Sequence, residues 1–260
     1  MAHWKERLLG AAKSLAYKAL PPPTSNFEYN RRLWNRYARF WWLTRSFLRP
    51  YQKNGQGPAG SVAFRTLGDE WGNFSDIECI LADYVYPFVN AQSAVAEVGS
   101  GGGRIALRVA PRVRDYYCLD ISQQMLKKAQ IALAGQSNTR FILLEKPRVP
   151  LEDDAIDFVL AFDVFVHLDL HLMWKYFQEI RRVLKPGGHA FLHTANLKAP
   201  GGWEAFSRQD SFRVEDHYFI TPETVAVLAK HACLRIVKES AVDPRNFYLH
   251  RDYLFVVARD

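Results

Sequence analysis

Cysteine is scarce in this chain: Cys79, Cys118 and Cys233 are the only three in 260 residues. Their scatter offers neither a disulfide framework nor metal-ligand spacing, so no metal is expected and a reducing compartment is favoured. Long apolar runs are missing too, and no stretch reaches the roughly 20 residues needed to cross a bilayer. There are no internal repeats and no low-complexity tracts. The length remaining can bury a sizeable core, enough for one α/β domain plus an appendage.

The net charge of +7 is unevenly spread. Residues 1–60 carry eleven Lys and Arg against two acids, Glu6 and Glu28, while the remainder holds 23 basic and 25 acidic side chains. The basic character therefore belongs to an N-terminal, aromatic-rich helical appendage, residues 1–60, ahead of a domain at 61–260. Such asymmetry implies an anionic partner for the appendage.

Within it, residues 3–20 read as an amphipathic helix ended by Pro21, Pro22 and Pro23. Lys13 interrupts its apolar side and no small-residue cleavage site follows, so it does not read as a secretory signal. A cytoplasmic location is expected. The helix either makes a peripheral contact with the inner membrane face or docks on its own domain or on a second subunit, as in a homodimer. Residues 26–48 form a second helical stretch, with Leu33, Tyr37, Phe40, Thr44 and Phe47 in a stripe and Arg32, Arg36 and Arg39 nearby. Interleaved Arg and aromatics can bind nucleic acid. The regular stripe favours instead a helix that buries its aromatic side while Arg stems cover the edges. Residues 50–61 are a linker, Asp69–Gly72 a turn, and 76–89 a helix ending near Pro87.

From residue 93 onward strands and helices alternate. Strands are expected at 94–98, 116–119, 140–144, 156–162, 189–193, 234–238 and 253–258, with helices at 104–109, 123–133, 169–184 and 222–231. That order argues for a doubly wound α/β sheet of seven strands, covered on both faces. Only a loop is expected between the last two strands, so the last should run antiparallel.

The first of these strands ends in Glu97 and is followed by Gly99-Ser100-Gly101-Gly102-Gly103. Glycine accepts positive φ and leaves room for a ligand against the backbone, and a helix N-terminus follows. A dinucleotide fingerprint would need its third glycine at position 104, where Arg104 stands. A second acid, Asp120, closes the next strand, where a carboxylate meets ribose hydroxyls.

This pairing resembles the first two motifs of class I S-adenosylmethionine-dependent methyltransferases. The likeness continues through Asp120-Ile-Ser-Gln-Gln-Met-Leu126, residues 158–163 and Leu184-Lys-Pro-Gly-Gly188, covering about residues 90–260. It implies a Rossmann-like fold and S-adenosyl-L-methionine as cofactor. By motif, Gly99, Ser100, Gly101 and Gly103 would lie against the cofactor, Glu97 would face its ammonium and Asp120 its ribose. Ile121 would pack on adenine, Phe162 would border the site, and Glu145 occupies the place of an acid near the adenine amino group. Lys146 replaces a small residue beside it, and a solvated loop carboxylate is the other reading of Glu145.

Methyl transfer to a poorly acidic hydroxyl needs a base beyond strands four and five. His167, in Phe162-Asp-Val-Phe-Val-His167, fits best. Asp163 either orients substrate or finishes its strand, and His193 is either a second base or a buried structural histidine. Residues 194–220 read as a lid insertion, with a turn at Pro200–Trp203 and with Trp203, His217 and Tyr218 lining the acceptor. Strand four gives Ala161-Phe-Asp-Val164 instead of the motif of amino-methylating nucleic-acid enzymes, and no cysteine pair supports an RNA-methylating nucleophile. The expected partner is therefore a small-molecule or saccharide hydroxyl. A lipid-linked or quinone-like acceptor at a membrane is the enzymatic alternative. A cofactor-binding scaffold or an RNA-binding protein using the basic arm is the non-enzymatic one.

Overall fold

Five parallel strands carry the core: β1 (Ala94–Val98), β2 (Asp115–Asp120), β3 (Thr139–Leu143), β4 (Ile156–Ala161) and β5 (Leu184–Asn196). β7 (Arg235–Glu239) and β8 (Asp252–Ala258) complete the order β3-β2-β1-β4-β5-β8-β7, with β8 antiparallel to both neighbours. The computed structural model that shows this describes residues 23–45, 66–69, 72, 74–209 and 217–260. The expected helix at 3–20, the linker at 50–61 and the boundary near residue 60 lie outside those residues.

Period-two burial builds one core on each face of the sheet. Ala94, Ala96 and Val98 of β1, with Val159 and Ala161 of β4, pack against α5 (Leu170–Val183) and α7 (Pro222–His231). Val95 of β1 and Phe158 and Leu160 of β4 face the other way. They meet α2 (Phe74–Tyr84), α3 (Ala106–Val109) and α4 (Gln123–Ala132). Burying one such large apolar side chain contributes about 1.5–3 kcal/mol, so these layers supply most of the driving force.

Side-chain oxygens start several helices by accepting orphan N–H groups. Ser122 caps α4, Asp169 caps α5 and Thr221 caps α7. Asn246 does the same for the short α8 (Phe247–Arg251), which stands where the sequence predicts only a loop between the last strands. Prolines explain two other differences from the sequence expectation. Pro111 turns the chain into a 3-10 turn, Ala110–Arg112, after one helical turn of α3, and Pro87 does the same at Tyr86–Phe88 after α2.

Strand five is longer than its apolar run because the Pro186-Gly-Gly segment is a bulge inside it. Ile156 pairs with Leu184 and Phe158 with His189, and Gly187 takes φ +77° at the irregularity. An additional two-residue strand, β6 (Phe219–Ile220), pairs with the far end of β5, too short to show as periodicity. Pro200–Trp203 is the first turn of helix α6 (Pro200–Arg208) rather than a free turn, with Pro at its N-terminus.

The N-terminal helix α1 (Asn26–Arg45) lies on the domain itself. Trp34, Tyr37 and Trp41 pack with Ala38 against Leu67 and Met125. Three asparagines fasten it to the ligand-binding edge of the sheet. Asn26 Oδ1 accepts from Asp169 N–H at 3.2 Å, and Asn30 Nδ2 donates to the His167 carbonyl at 3.0 Å. Asn35 Oδ1 accepts from Ser122 Oγ at 3.0 Å and Gln124 N–H at 3.2 Å.

Candidate active site

Glycine builds the floor of the crevice at the C-terminal end of β1. The N–H groups of Gly99 and Ser100 both donate to the Leu119 carbonyl, at 2.7 and 3.0 Å, which folds the loop back over β2. Gly99 has φ +74°, and a Cβ there would overlap Val164 Cγ2. Gly101 has φ +54°, and a Cβ there would meet no atom within 4 Å. Open space therefore faces the middle of the loop, while its first glycine is pressed against the segment that leaves β4. Gly103 is also in the left-handed region, and Ser100 is buried beside Cys118.

Two carboxylates flank this floor. Asp120 ends β2 and spends one oxygen on Gly101 N–H at 2.8 Å and the other on Ser122 N–H at 2.7 Å. Burial pushes it up to about 6, and the N–H groups of Ser122, Gly101 and Ile121 hold it from rising further. Glu97 lies deeper and accepts from Tyr116 Oη at 2.7 Å. Burial pushes it up to about 8 against the opposing pull of the Tyr116 hydrogen bond and Arg104. A buried acid held this high is one that a bound cation would ionise. Ile121 packs partly buried against the core beside Asp120, and Glu145 is exposed on the loop after β3.

Beyond β4 the chain takes an unusual turn. Asp163 has φ +57°, and its backbone N–H donates to His193 Nδ1 at 3.1 Å. That donor makes Nδ1 an acceptor, so the imidazole is the neutral tautomer with its proton on Nε2. His193 Nε2 stands 2.9 Å from Asp252 Oδ2, although not in line with it, and Arg251 in turn binds Asp252 at 2.7 Å. On the other side Arg104 reaches Asp163 at 2.6 Å, the Gly68 carbonyl at 2.9 Å and Tyr248 Oη at 3.3 Å. Burial opposes the charge on Arg104, but Tyr248 and Asp163 outweigh it and keep the guanidinium protonated. Burial alone would raise Asp163 and Asp252; Arg104 at the first and Arg251 at the second hold both below the ordinary carboxylate range.

The sequence-expected residues therefore separate into two groups. His193 is fully buried with both nitrogens facing chain partners, which suits positioning the Asp163 turn rather than taking a proton from an acceptor. The Phe162 ring is buried and packs among Phe191, His193 and Tyr248. His167, by contrast, ends a 3-10 turn (Phe165–His167) in the segment that presses on Gly99. Its ring meets Trp34 of α1 edge-on at 5.1 Å and stacks on His217 at 5.3 Å. Burial, helped by Arg251 and His167, pushes His217 down to about 3, so it stays neutral.

Tyr218 N–H donates to the Val166 carbonyl at 2.7 Å, and its hydroxyl accepts from Asn26 at 3.3 Å. That places it at the edge of a shallow recess of about 330 Å³, lined also by Tyr29 and Asp169. Trp203 stands further out, on α6. Sequence reasoning gives no role to Arg104, the three asparagines of α1 or the Asp252 end of the network. The one local sign that points to the first is that Arg104 stands where a dinucleotide fingerprint would have its third glycine.

Comparison with known proteins agrees with this geometry. A family described as "Methyltransferase domain" matches residues 96–192. The chain is 32% identical over 149 residues to the ubiquinone/menaquinone biosynthesis C-methyltransferase UbiE of Rickettsia massiliae (strain Mtu5), covering 51% of this chain and 58% of that protein. It is 25% identical over 142 residues to malonyl-[acyl-carrier protein] O-methyltransferase of Marinomonas sp. (strain MWYL1), covering 50% and 49%. The alignments thus span only about half the length of these curated relatives. A crystal structure of a SAM-dependent methyltransferase from Aquifex aeolicus shares the fold, with TM-score 0.54 and 17% identity over 70% of this chain and 89% of that one.

The domain has the fold and crevice of class I methyltransferases, and its residues 96–192 match the methyltransferase-domain family. Its cofactor is S-adenosyl-L-methionine. The residues present fit that group: open space stands before Gly101, the Asp120 carboxylate stands beside it, and Glu97 is a buried acid that a cation would ionise. Among the described residues no helix is long and apolar enough to cross a membrane.

Proposed function

We propose that the protein methylates a hydroxyl group on a small molecule, saccharide hydroxyls included, with His167 as the base. The observation that carries this reading is the contact of Val164 with Gly99, which seats the His167 segment beside the glycine floor and its two acids. When bound, S-adenosyl-L-methionine supplies a methyl group already activated on a sulfonium. The chain's own work is to hold, align and deprotonate. Glu97 holds the ammonium, Asp120 the ribose hydroxyls, and the loop from Gly99 to Gly103 admits the ligand to the backbone. Ile121 and Glu145 border the adenine. His167 accepts the acceptor's proton, while His217, Tyr218 and Trp203 line its approach.

The name of the Marinomonas relative, an O-methyltransferase, supports transfer to oxygen. The test is calorimetry with S-adenosylhomocysteine, followed by incubation of labelled-methyl cofactor with a panel of hydroxyl compounds. Heat of binding and label on oxygen are expected. Absence of binding removes the whole assignment, and label on carbon or nitrogen alone removes the hydroxyl.

A second reading is a lipid-linked or quinone-like acceptor met at a membrane surface, favoured by the likeness to UbiE and by the basic sequence ahead of α1. It expects the full chain to float with anionic liposomes and a chain lacking residues 1–25 to remain at the bottom of the gradient. Identical sedimentation of the two would discard it.

A further inference from the structure

Aromatic rings form an unbroken series from solvent to His167. Trp203 and Phe206, one turn apart on α6, have ring centroids 5.7 Å apart. Phe206 meets Phe219 at 5.7 Å and Phe219 meets His217 at 6.0 Å, both edge-on. His217 then stacks on His167 at 5.3 Å with the planes 27° apart. The outer end is open, with Trp203 58% and Phe206 44% exposed, while His167 is buried.

Helix α6 is pressed onto the sheet to make this arrangement. A Cβ on Gly202 would overlap the Asn196 carbonyl, and one on Gly201 would crowd His250. The helix thus shows its aromatic side outward at the rim of the site instead of burying it, leaving two large apolar rings whose burial would be favourable. The wall they form carries no formal charge. His217 is held neutral, and the nearby Glu204 and Arg208 pair with each other at 2.5 Å.

We propose that this series of rings is the acceptor subsite and that the acceptor it takes is a neutral phenol whose hydroxyl is delivered to His167. The proposal rests on the methyl-transfer reading above and narrows its substrate class. Proton affinity chooses the phenol over a sugar. An ordinary imidazole titrates near 6.5 and a phenol near 10, a gap of about three and a half powers of ten. An alcohol hydroxyl close to water's 15.7 leaves a gap of about nine. The ring wall points the same way, because its faces offer stacking, whereas a sugar needs several hydrogen-bonding partners along its length. In the step itself the phenolic oxygen bonds to the methyl carbon as the carbon–sulfur bond breaks. The electron pair remains on sulfur, and the phenolic proton passes to the His167 imidazole and then to solvent.

Calorimetry on the full chain saturated with S-adenosylhomocysteine tests this without turnover, using 2-naphthol, cyclohexanol and methyl β-glucoside as titrants. 2-Naphthol should bind at least tenfold more tightly than either ring-poor alcohol. The paired substitution W203A/F206A removes two exposed rings and should weaken 2-naphthol roughly tenfold, with S-adenosylhomocysteine affinity unchanged as the control for folding. With labelled-methyl cofactor, 2-naphthol should be the better acceptor, and His167→Gln should retain its binding while losing transfer. Equal or tighter binding of the glucoside or cyclohexanol overturns the phenol proposal but leaves the methyl-transfer reading standing, as does an unchanged 2-naphthol affinity in W203A/F206A. Transfer to no hydroxyl compound, with S-adenosylhomocysteine still bound, overturns both.

Discussion

Glu97 makes cofactor affinity depend on pH in a way that can be worked out beforehand. Its carboxyl is pushed up to about 8 by burial. At pH 7 about one molecule in ten then carries the charge, and at pH 9 about nine in ten. A ligand whose ammonium requires the carboxylate binds only the ionised fraction, so the ionisation of Glu97 by itself should raise affinity for S-adenosylhomocysteine about tenfold from pH 7 to pH 9, with loss of the ligand's own ammonium proton working against it. Asp120, pushed up to about 6, should add a factor of about two between pH 6 and pH 7 and almost nothing above. The contribution of these two acids is therefore tighter binding as pH rises, read as the ratio of wild type to a variant that lacks the titration. Glu97→Gln keeps the shape of the protonated acid without its titration. Wild type and variant should converge near pH 6 and differ by more than about tenfold at pH 9, a difference from which the ligand's own titration cancels. Calorimetry in two buffers of different ionisation heat should show wild type releasing close to one more proton per ligand at pH 7 than the variant does. Parallel pH profiles for the two proteins would refute the assignment of Glu97 to the ammonium.

Other expectations follow from single contacts. Gly99→Ala combines a left-handed φ with overlap on Val164 and should cost about 2–5 kcal/mol in urea unfolding; Val164→Ala in the same chain should recover the steric part, and a failure to recover any would place the strain elsewhere. His193→Ala leaves the Asp163 N–H without its acceptor and Asp252 without the imidazole, so it should lose about 2–4 kcal/mol of stability. If His193 positions rather than deprotonates, the pH profile of methyl transfer should keep its limb near neutrality in that variant. His167→Ala should bind S-adenosylhomocysteine within about twofold of wild type and slow transfer at least about a hundredfold; equal activity would take the histidine out of the reaction. Asn30→Ala removes a buried bond to the His167 carbonyl and should weaken α1's hold by about 1 kcal/mol, read as faster amide exchange in residues 26–41.

Much of the fold is written in local patterns. Period-two burial of β1 and β4, the caps at Ser122 and Asp169, and the acid at each strand end are all properties of a few neighbouring residues. Strand five reads as shorter than it is because Pro186 and its two glycines look like a break, when the backbone absorbs them as a bulge. The insertion of β8 between β5 and β7 leaves no mark in periodicity, since strand order is set by packing between distant segments. The same holds for Arg104, whose sequence signal is only that it spoils a dinucleotide fingerprint. Its partners Gly68, Asp163 and Tyr248 lie 36 to 144 positions away. His193 admits two readings in the sequence for this reason, and only the Asp163 turn and Asp252 show what surrounds it.

The antiparallel run of β8 has a practical corollary. Parallel strands hand over Glu97, Asp120 and Asp163 within two residues of their C-terminal ends, whereas β8 brings Asp252 to the same rim with its first. Seven residues later the chain has crossed to the opposite side of the molecule, where Ala258 faces His189 and Arg235 and Arg259 pairs with Gly188. Anchoring the protein to a sensor chip through Asp260 would therefore leave the crevice pointing into the flow.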